Sequence, residues 1–149
     1  MTIRRTLLGL SAFASLVIAG AAVAQNQNVI DERKKLFKEI GSGAEEIGDM
    51  MKGKKPFDLA AAQKSLRTWS DNASKLPPLF PDDSKLGNTR ALPRVWEEKA
   101  RFEGMLGTFS KDSAAAATAV TDQASLNAAM PKLFGECKAC HDDFRAKRP

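Results

Sequence analysis

The chain has 149 residues and a formal net charge of +5 at neutral pH, a length that suits one domain with a modest core. Alanine, lysine, glutamate and leucine dominate, while valine and isoleucine are few after the N-terminal segment, which argues against a β-rich fold. The positive charge is small and dispersed, so nucleic acid is not an expected partner.

The N-terminal segment has the layout of a secretory signal peptide. Arg4 and Arg5 precede an apolar run over residues 7–23, and a small-x-small sequence ends at Ala24. We predict cleavage after Ala24, export to the periplasm, and a mature domain of residues 25–149 with a net charge of +3. The alternative is a transmembrane anchor, because an apolar run of about 17 residues is at the short limit for a span. The Ala-Val-Ala exit favours cleavage, and no later segment is apolar enough to span a membrane.

Two amphipathic helices are predicted in the first half of the mature chain. The first runs from Val29 to Met51 with apolar residues three or four positions apart, and the sequence KGKKP ends it. The second runs from Asp58, a plausible N-cap, to Lys75. Trp69 belongs to its apolar stripe and is also considered as an exposed interface residue.

The sequence LPPLFPDDSKLGNTRALP, residues 76–93, predicts no regular element and is expected to be an ordered crossing or a functional segment. A third helix should begin at Pro93 and end near Val120. A fourth should begin at Thr121 or Asp122 and run to about Ala146, with a kink or a late start near Pro131. Four amphipathic helices indicate an all-α four-helix bundle.

The fourth helix carries the only two cysteines and the only histidine of the chain, as Cys137-Lys138-Ala139-Cys140-His141. Residues at positions i, i+3 and i+4 share one face of a helix. Cys-x-x-Cys-His is the attachment signal for haem c, in which two thiols form thioethers with the haem and the histidine binds iron. We therefore predict one covalent haem c, attached through Cys137 and Cys140, with His141 as the iron ligand.

Other uses of this motif fit the sequence less well. A disulfide between Cys137 and Cys140 would close a very small loop with poor geometry and little entropic gain. A thioredoxin-like pair needs a βαβ pattern, which is missing from the sequence. A zinc site would need further cysteine or histidine ligands, and the chain has none left.

The segments CKACHDDFRAK, ALPRVWEEKARFE and KGKKPFDLAAAQ resemble class II c-type cytochromes, meaning cytochrome c′ and its low-spin c-556-like relatives. In that family the haem motif lies near the C-terminus of a four-helix chain. The resemblance implies an up-down-up-down bundle, of which cytochrome c′ is a standard example, with haem between the helices near the C-terminal one. It also implies a non-enzymatic electron carrier or gas-binding protein that forms homodimers through its first two helices.

The resemblance assigns two roles within the sequence RKKLF of the first helix. In the family an arginine at the place of Arg33 contacts a haem propionate. Low-spin relatives carry methionine at the place of Phe37, and a phenyl ring cannot bind iron. Phe37 therefore implies a five-coordinate, high-spin iron, although an ordinary core phenylalanine would fit the same apolar stripe.

Four more residues match positions near the haem in the family. Lys34 lies at the haem edge, where relatives often have glutamine or glutamate, so its role is open. Thr89 and Arg90 match residues that line the haem, and Arg145 matches one near the proximal His141. The ordinary alternative for each charged residue is a solvated surface position.

The leading functional hypothesis is a periplasmic haem protein that exchanges electrons with periplasmic redox proteins or binds nitric oxide and carbon monoxide at a five-coordinate iron. The alternative is a low-spin, six-coordinate electron carrier of the c-556 type. A second histidine ligand is excluded, and Met50 and Met51 lie too far along the helix to replace Phe37. An enzyme is disfavoured because no distal histidine or acid–base pair is found. A haem-free interaction bundle is the fourth hypothesis.

Overall fold

The structure is a computed structural model that describes the backbone of residues 12–147 and the side chains of residues 27–147. Most of the predicted signal peptide lies outside the described residues or has no described side chains, so cleavage after Ala24 stays a prediction. Within the described part of the chain, no helix is long and apolar enough to cross a bilayer.

Over residues 12–147, four long helices and one short helix form the fold, which confirms the all-α four-helix bundle. The helices are α1 (Ala12–Met51), α2 (Leu59–Lys75), α3 (Arg94–Glu97), α4 (Lys99–Ala119) and α5 (Gln123–Phe144). Helix α2 packs against both α1 and α4, and α4 packs against α5. Two single 3₁₀ turns, Pro77–Leu79 and Asp82–Ser84, lie in residues 76–93, which we call the crossing segment. The crossing segment is therefore an ordered connection.

Side-chain caps begin two of the helices where the sequence predicted them. The Asp58 carboxylate accepts a hydrogen bond from the Ala61 backbone N–H at 3.0 Å. Asp122 and Ser125 form a reciprocal capping box at the start of α5. These bonds satisfy backbone donors that have no partner within the helix.

Two predicted boundaries were wrong. Helix α1 begins at Ala12 rather than Val29, because the preceding alanine-rich residues carry no proline to interrupt helical hydrogen bonding. The predicted third helix is divided at Glu98, where the backbone leaves the helical region with φ −114° and ψ 41°. Helix α5 begins at Gln123, directly after the predicted Asp122 cap, and it includes Pro131, so of the two alternatives at Pro131 the late start is excluded. It ends at Phe144 because Arg145 is extended and forms an antiparallel bridge with Ala91.

The buried side chains form two apolar clusters, one toward each end of the bundle. The upper cluster lies toward the α1–α2 turn and comprises Ile47, Met50, Ala62, Leu66, Trp69, Ala73, Phe109, Ala116, Ala117, Val120, Leu126, Met130 and Leu133. The lower cluster lies toward the crossing segment and comprises Leu36, Leu76, Phe80, Val95, Phe102, Leu106 and Phe144. Ile40 packs against both clusters.

Trp69 lies in the interior, so the interpretation of Trp69 as an exposed interface residue was wrong. Its exposed fraction is 0%, and its ring stacks on Phe109 with centroids 5.7 Å apart. Phe134 lies against the same ring at 6.2 Å. The apolar stripe of α2 therefore faces the core at Trp69, as the helical spacing alone required.

Candidate cofactor-attachment site

Cys137, Cys140 and His141 lie on the last two turns of α5, and all three side chains are half-buried. Cys137 packs against the upper cluster, whereas Cys140 packs against the lower cluster. The motif thus spans the seam between the two apolar clusters of the bundle. A flat, largely apolar group attached to these two thiols would meet apolar side chains on both sides of the seam, so the residues present fit a haem.

The protonation states of the three side chains suit covalent attachment and metal binding. Burial, reinforced by nearby acidic groups, raises the pKa of both Cys137 and Cys140 to about 11, so both remain neutral thiols at pH 7. Both are free cysteines. Burial and the neighbouring charges of Arg145 and Arg90 lower the pKa of His141. A neutral imidazole keeps a nitrogen lone pair available for a metal.

An open groove of about 940 Å³ lies beside His141. Its walls are Arg90, Leu92, His141, Lys138, Asp142, Arg145, Ala146 and Lys147. The end of the crossing segment is tied to the end of α5 there, because Leu92 N–H donates to the Phe144 carbonyl at 3.0 Å and Ala146 N–H donates to the Arg90 carbonyl at 2.9 Å. The structure therefore brings the predicted residues Arg90 and Arg145 to the same groove as His141.

Arg33 is buried against the crossing segment, with an exposed fraction of 2%. Its Nη1 donates to the Leu79 carbonyl at 3.1 Å and to Ser84 Oγ at 2.8 Å. Its Nη2 donates to the Ser84 carbonyl at 3.1 Å and to Thr89 Oγ1 at 2.9 Å. The structure thus brings together two residues, Arg33 and Thr89, that the resemblance had placed separately near the haem. All four of these bonds go to protein acceptors. The expected propionate contact of Arg33 stays a prediction.

Lys34, the residue after Arg33, is exposed and lies 4.0 Å from the Asp31 carboxylate. An exposed ion pair at this distance stabilises the fold very little. Lys34 is therefore free to turn toward another anionic group, as a haem-edge role would require, but nothing in its surroundings fixes it there.

Phe37 is partly exposed, at 36%, and its ring meets the edge of Phe80 with centroids 6.5 Å apart. Phe80 contacts Phe102 at 4.7 Å, and Phe102 contacts Phe144 at 5.3 Å, each edge to face. This row of aromatic rings leads from Phe37 on α1 to Phe144, three residues after His141. Phe37 therefore belongs to the same end of the bundle as the motif.

Sequence reasoning missed Phe80, Trp96 and Ser84 as parts of the site. Phe80 and Trp96 both lie against the Arg33 guanidinium, whose Cζ is 4.5 Å and 5.7 Å from the two ring centroids. Ser84 is fully buried although it follows two aspartates in the crossing segment. An aromatic residue between two prolines, Phe80, was the one available signal that this segment is held against the core.

Glu136, directly before Cys137, was also missed. Its Oε2 atom is buried and has no hydrogen-bond partner among the described residues. Burial first, and then the neighbouring Asp112, raise the pKa of Glu136 to about 7. Asp112 in turn pairs with Lys132 at 2.7 Å. Two carboxylates in contact favour retention of a proton, here on Glu136.

Comparison with known proteins agrees with this geometry. The family model described as Cytochrome C′ matches residues 28–145. A cytochrome c′ of Rhodopseudomonas palustris is 44% identical over 144 residues, covering 95% of this chain and 98% of that one. Cytochrome c-556 of the same organism is 34% identical over 141 residues, covering 89% and 93%.

Solved structures give the same result. The structure of cytochrome c′ from Rhodopseudomonas palustris matches with a TM-score of 0.79 at 45% identity, covering 81% of this chain and 98% of that one. The NMR-validated structural model of oxidised cytochrome c556 from R. palustris matches with a TM-score of 0.75 at 32% identity, covering 83% and 99%. The similarity extends to both branches that the sequence resembles.

Proposed function

Since the chain belongs to the cytochrome c′ family, we propose that it is an exported haem c protein of the periplasm that transfers electrons and binds nitric oxide or carbon monoxide at a five-coordinate iron. The observation that carries this proposal is the position of Cys137, Cys140 and His141 at the seam between two apolar clusters, with Phe37 in the same end of the bundle. The family implies a haem c, and the two thiols and the imidazole are the groups that would hold it.

Each residue of the motif has a distinct task in this proposal. Cys137 and Cys140 would form the thioethers, and His141 would donate a ring nitrogen to iron. When bound, haem would supply a one-electron redox centre and a coordination position for a small diatomic ligand. The two apolar clusters would pack against the haem and limit the access of water on the side away from the His141 groove. Arg90 and Arg145 favour the neutral form of His141 through their charges.

The open coordination position rests on Phe37, which cannot bind iron. The alternative is a low-spin electron carrier, and one observation names its ligand. Met105 packs against the lower cluster, as Cys140 does, whereas Met50 and Met130 belong to the upper cluster. If the protein is low-spin, the Met105 thioether is the ligand to test first, by Met105→Leu.

Attachment is tested by the intact mass and the pyridine haemochrome spectrum of protein produced in a haem-maturing host. We expect residues 25–149 plus one haem. Cys137→Ser and Cys140→Ser should each lower the yield of stable holoprotein several-fold, because one thioether is lost. Ala139→Ser places a hydroxyl between the two cysteines without removing a thiol, and should leave the yield unchanged. Full recovery of wild-type apoprotein with two free thiols would overturn the proposal.

The spin state is tested at Phe37. Phe37→Met should convert the ferrous spectrum to low-spin, because a thioether then replaces the phenyl ring. Phe57→Met is the matched control, since Phe57 packs against the upper cluster at the far end of the bundle. A wild-type protein that is already low-spin, or a Phe37→Met protein that stays high-spin, would contradict the assignment of Phe37 to the open face.

The groove beside His141 supports electron exchange with acidic partner surfaces. Four basic side chains and one acidic side chain line it, and the acidic one, Asp142, is paired with Lys138. Such an excess of one charge attracts partners of the opposite charge and speeds encounter at low salt. We propose that periplasmic redox proteins dock here through an acidic surface.

This docking surface is tested with ferricyanide and hexaammineruthenium as redox probes of opposite charge. Lys138→Glu with Lys147→Glu should slow the reaction with ferricyanide about tenfold at low ionic strength and speed that with the cationic complex. Lys54→Glu with Lys55→Glu is the control at the α1–α2 turn, where Lys54 pairs with Asp49 much as Lys138 pairs with Asp142. Equal effects of the two double variants would contradict docking at the groove. The homodimer stays a prediction, which sedimentation analysis tests.

A further inference from the structure

We infer that Arg33 and Phe80 control ligand access to the open face of the iron by fixing the position of the Phe37 ring. The inference rests on the proposed function, in which Phe37 covers that face. It departs from the role that the family resemblance gives Arg33, because the arginine acts here through a protein side chain and the crossing segment rather than through a haem propionate.

The terminal nitrogens of Arg33 are fully committed to the crossing segment. They carry four N–H groups, and four hydrogen bonds of 2.8–3.1 Å lead to Leu79, Ser84 and Thr89. A propionate would have to displace one of these acceptors or reach the remaining Nε–H. Since the guanidinium is 98% buried, its donors are expensive to leave unpaired. Arg33 therefore serves as an anchor that holds residues 79–89 against α1.

The anchor extends to Phe80 through ring contacts. The Arg33 Cζ lies 4.5 Å from the Phe80 ring centroid, a cation–π distance. Phe80 is 3% exposed and is also enclosed by Trp96 at 6.0 Å and Phe102 at 4.7 Å. Trp96 is itself fixed, because its Nε1–H donates to the Pro81 carbonyl at 3.0 Å. The Phe80 ring thus has little freedom to move.

Phe37 is the least enclosed ring of this arrangement. It lies one helical turn after Arg33 on α1, so both side chains project from the same face toward the crossing segment. Among the described residues its ring contacts one other aromatic ring, the edge of Phe80, and more than a third of its surface is exposed. Phe80 therefore limits the swing of the Phe37 ring on one side, and Arg33 keeps Phe80 in place.

A positioning role can be separated from a purely structural role by the rate of carbon monoxide association with ferrous holoprotein. Arg33→Lys keeps the charge but loses the forked geometry, and Phe80→Leu removes the ring that Phe37 meets. Each is made in the wild type and in a Phe37→Ala background, and unfolding by guanidinium is measured in parallel. Arg67→Lys, at an exposed position of α2, is the control for an arginine-to-lysine change.

When Phe37 is present, we expect Arg33→Lys and Phe80→Leu each to raise the carbon monoxide association rate about fivefold. When Phe37 is replaced by alanine, the same changes should leave the rate unchanged. Such a coupling between two substitutions is typical of residues in contact. A structural role would lower stability in both backgrounds without this coupling. If Arg33→Lys does not fold, Phe80→Leu and Thr89→Val carry the same test. If the carbon monoxide association rate is unaffected by all these substitutions, or changes equally in both backgrounds, the inference is overturned but the proposed function is not. A wild-type ferrous protein that does not bind carbon monoxide overturns the proposed open iron and the inference with it.

Discussion

Replacing Gly43 by alanine should destabilise the protein, although Gly43 lies within helix α1, where alanine is normally the better residue. A Cβ atom at this position would lie 2.7 Å from Trp69 Nε1 and 3.1 Å from Ser65 Cβ. The indole cannot yield, because Trp69 is fully buried and its ring is held by Phe109 and Phe134. Gly43 is thus the point of close approach between α1 and α2.

The expected change in the free energy of unfolding of Gly43→Ala follows from two opposing effects. Glycine inside a helix costs about 0.5–1 kcal/mol relative to alanine, so the backbone gains that amount on substitution. Overpacking a rigid core site costs about 1–3 kcal/mol. The free energy of unfolding should therefore fall by about 1 kcal/mol, or about 3–6 °C in Tm for a domain of this size.

Guanidinium unfolding followed by far-UV circular dichroism measures the change, with Gly41→Ala as the control. Gly41 is exposed two residues earlier on the same helix, and a Cβ there would have nothing within 4 Å. That variant should be about 0.5–1 kcal/mol more stable than the wild type. If Gly43→Ala is stabilised as much as Gly41→Ala, the close packing of α1 on Trp69 is refuted.

Three further predictions concern other parts of the molecule. The raised pKa of Glu136 means that the folded state holds a proton more tightly than the unfolded state, so the free energy of unfolding should fall as pH rises from about 4.5 through about 7. Glu136→Gln should abolish that decline, and a variant with the same pH profile as the wild type would contradict this prediction. Asp122→Ala should lower the free energy of unfolding by about 1 kcal/mol through loss of the α5 cap, whereas Asp71→Ala, at an exposed position near the C-terminal end of α2, should not lower it. Apoprotein should unfold less cooperatively and be cleaved faster by protease than holoprotein, because loss of haem leaves a cavity at the seam between the clusters. Equal stability of the two forms would contradict the binding of haem at this seam.

Local features of the sequence predicted much of the fold and the attachment motif. Cys137, Cys140 and His141 are fixed by spacing on a single helix, and the caps at Asp58 and Asp122 depend on residues three positions away. Such local signals can be recognised in a sequence without knowledge of the tertiary structure. The helix α1 start was misplaced because an alanine-rich segment continues a helix without any stop signal.

The network around Arg33 could not be predicted, because its partners are remote in sequence. Leu79, Ser84 and Thr89 lie 46, 51 and 56 residues from Arg33, in a segment with no periodic pattern. The family resemblance gave Arg33 and Thr89 separate roles near the haem, whereas the structure joins them directly by a hydrogen bond of 2.9 Å. Only the folded crossing segment supplies the carbonyl and hydroxyl acceptors that occupy the guanidinium.

The optical spectrum of the ferrous protein, recorded before and after addition of carbon monoxide, tests the central claim most directly. With His141 as the one imidazole in the chain and Phe37 in place of a ligand, we predict a high-spin spectrum with a broad visible band that changes on addition of carbon monoxide. A low-spin spectrum with a sharp, split visible band and no response to carbon monoxide would contradict the open iron and make the protein a six-coordinate electron carrier.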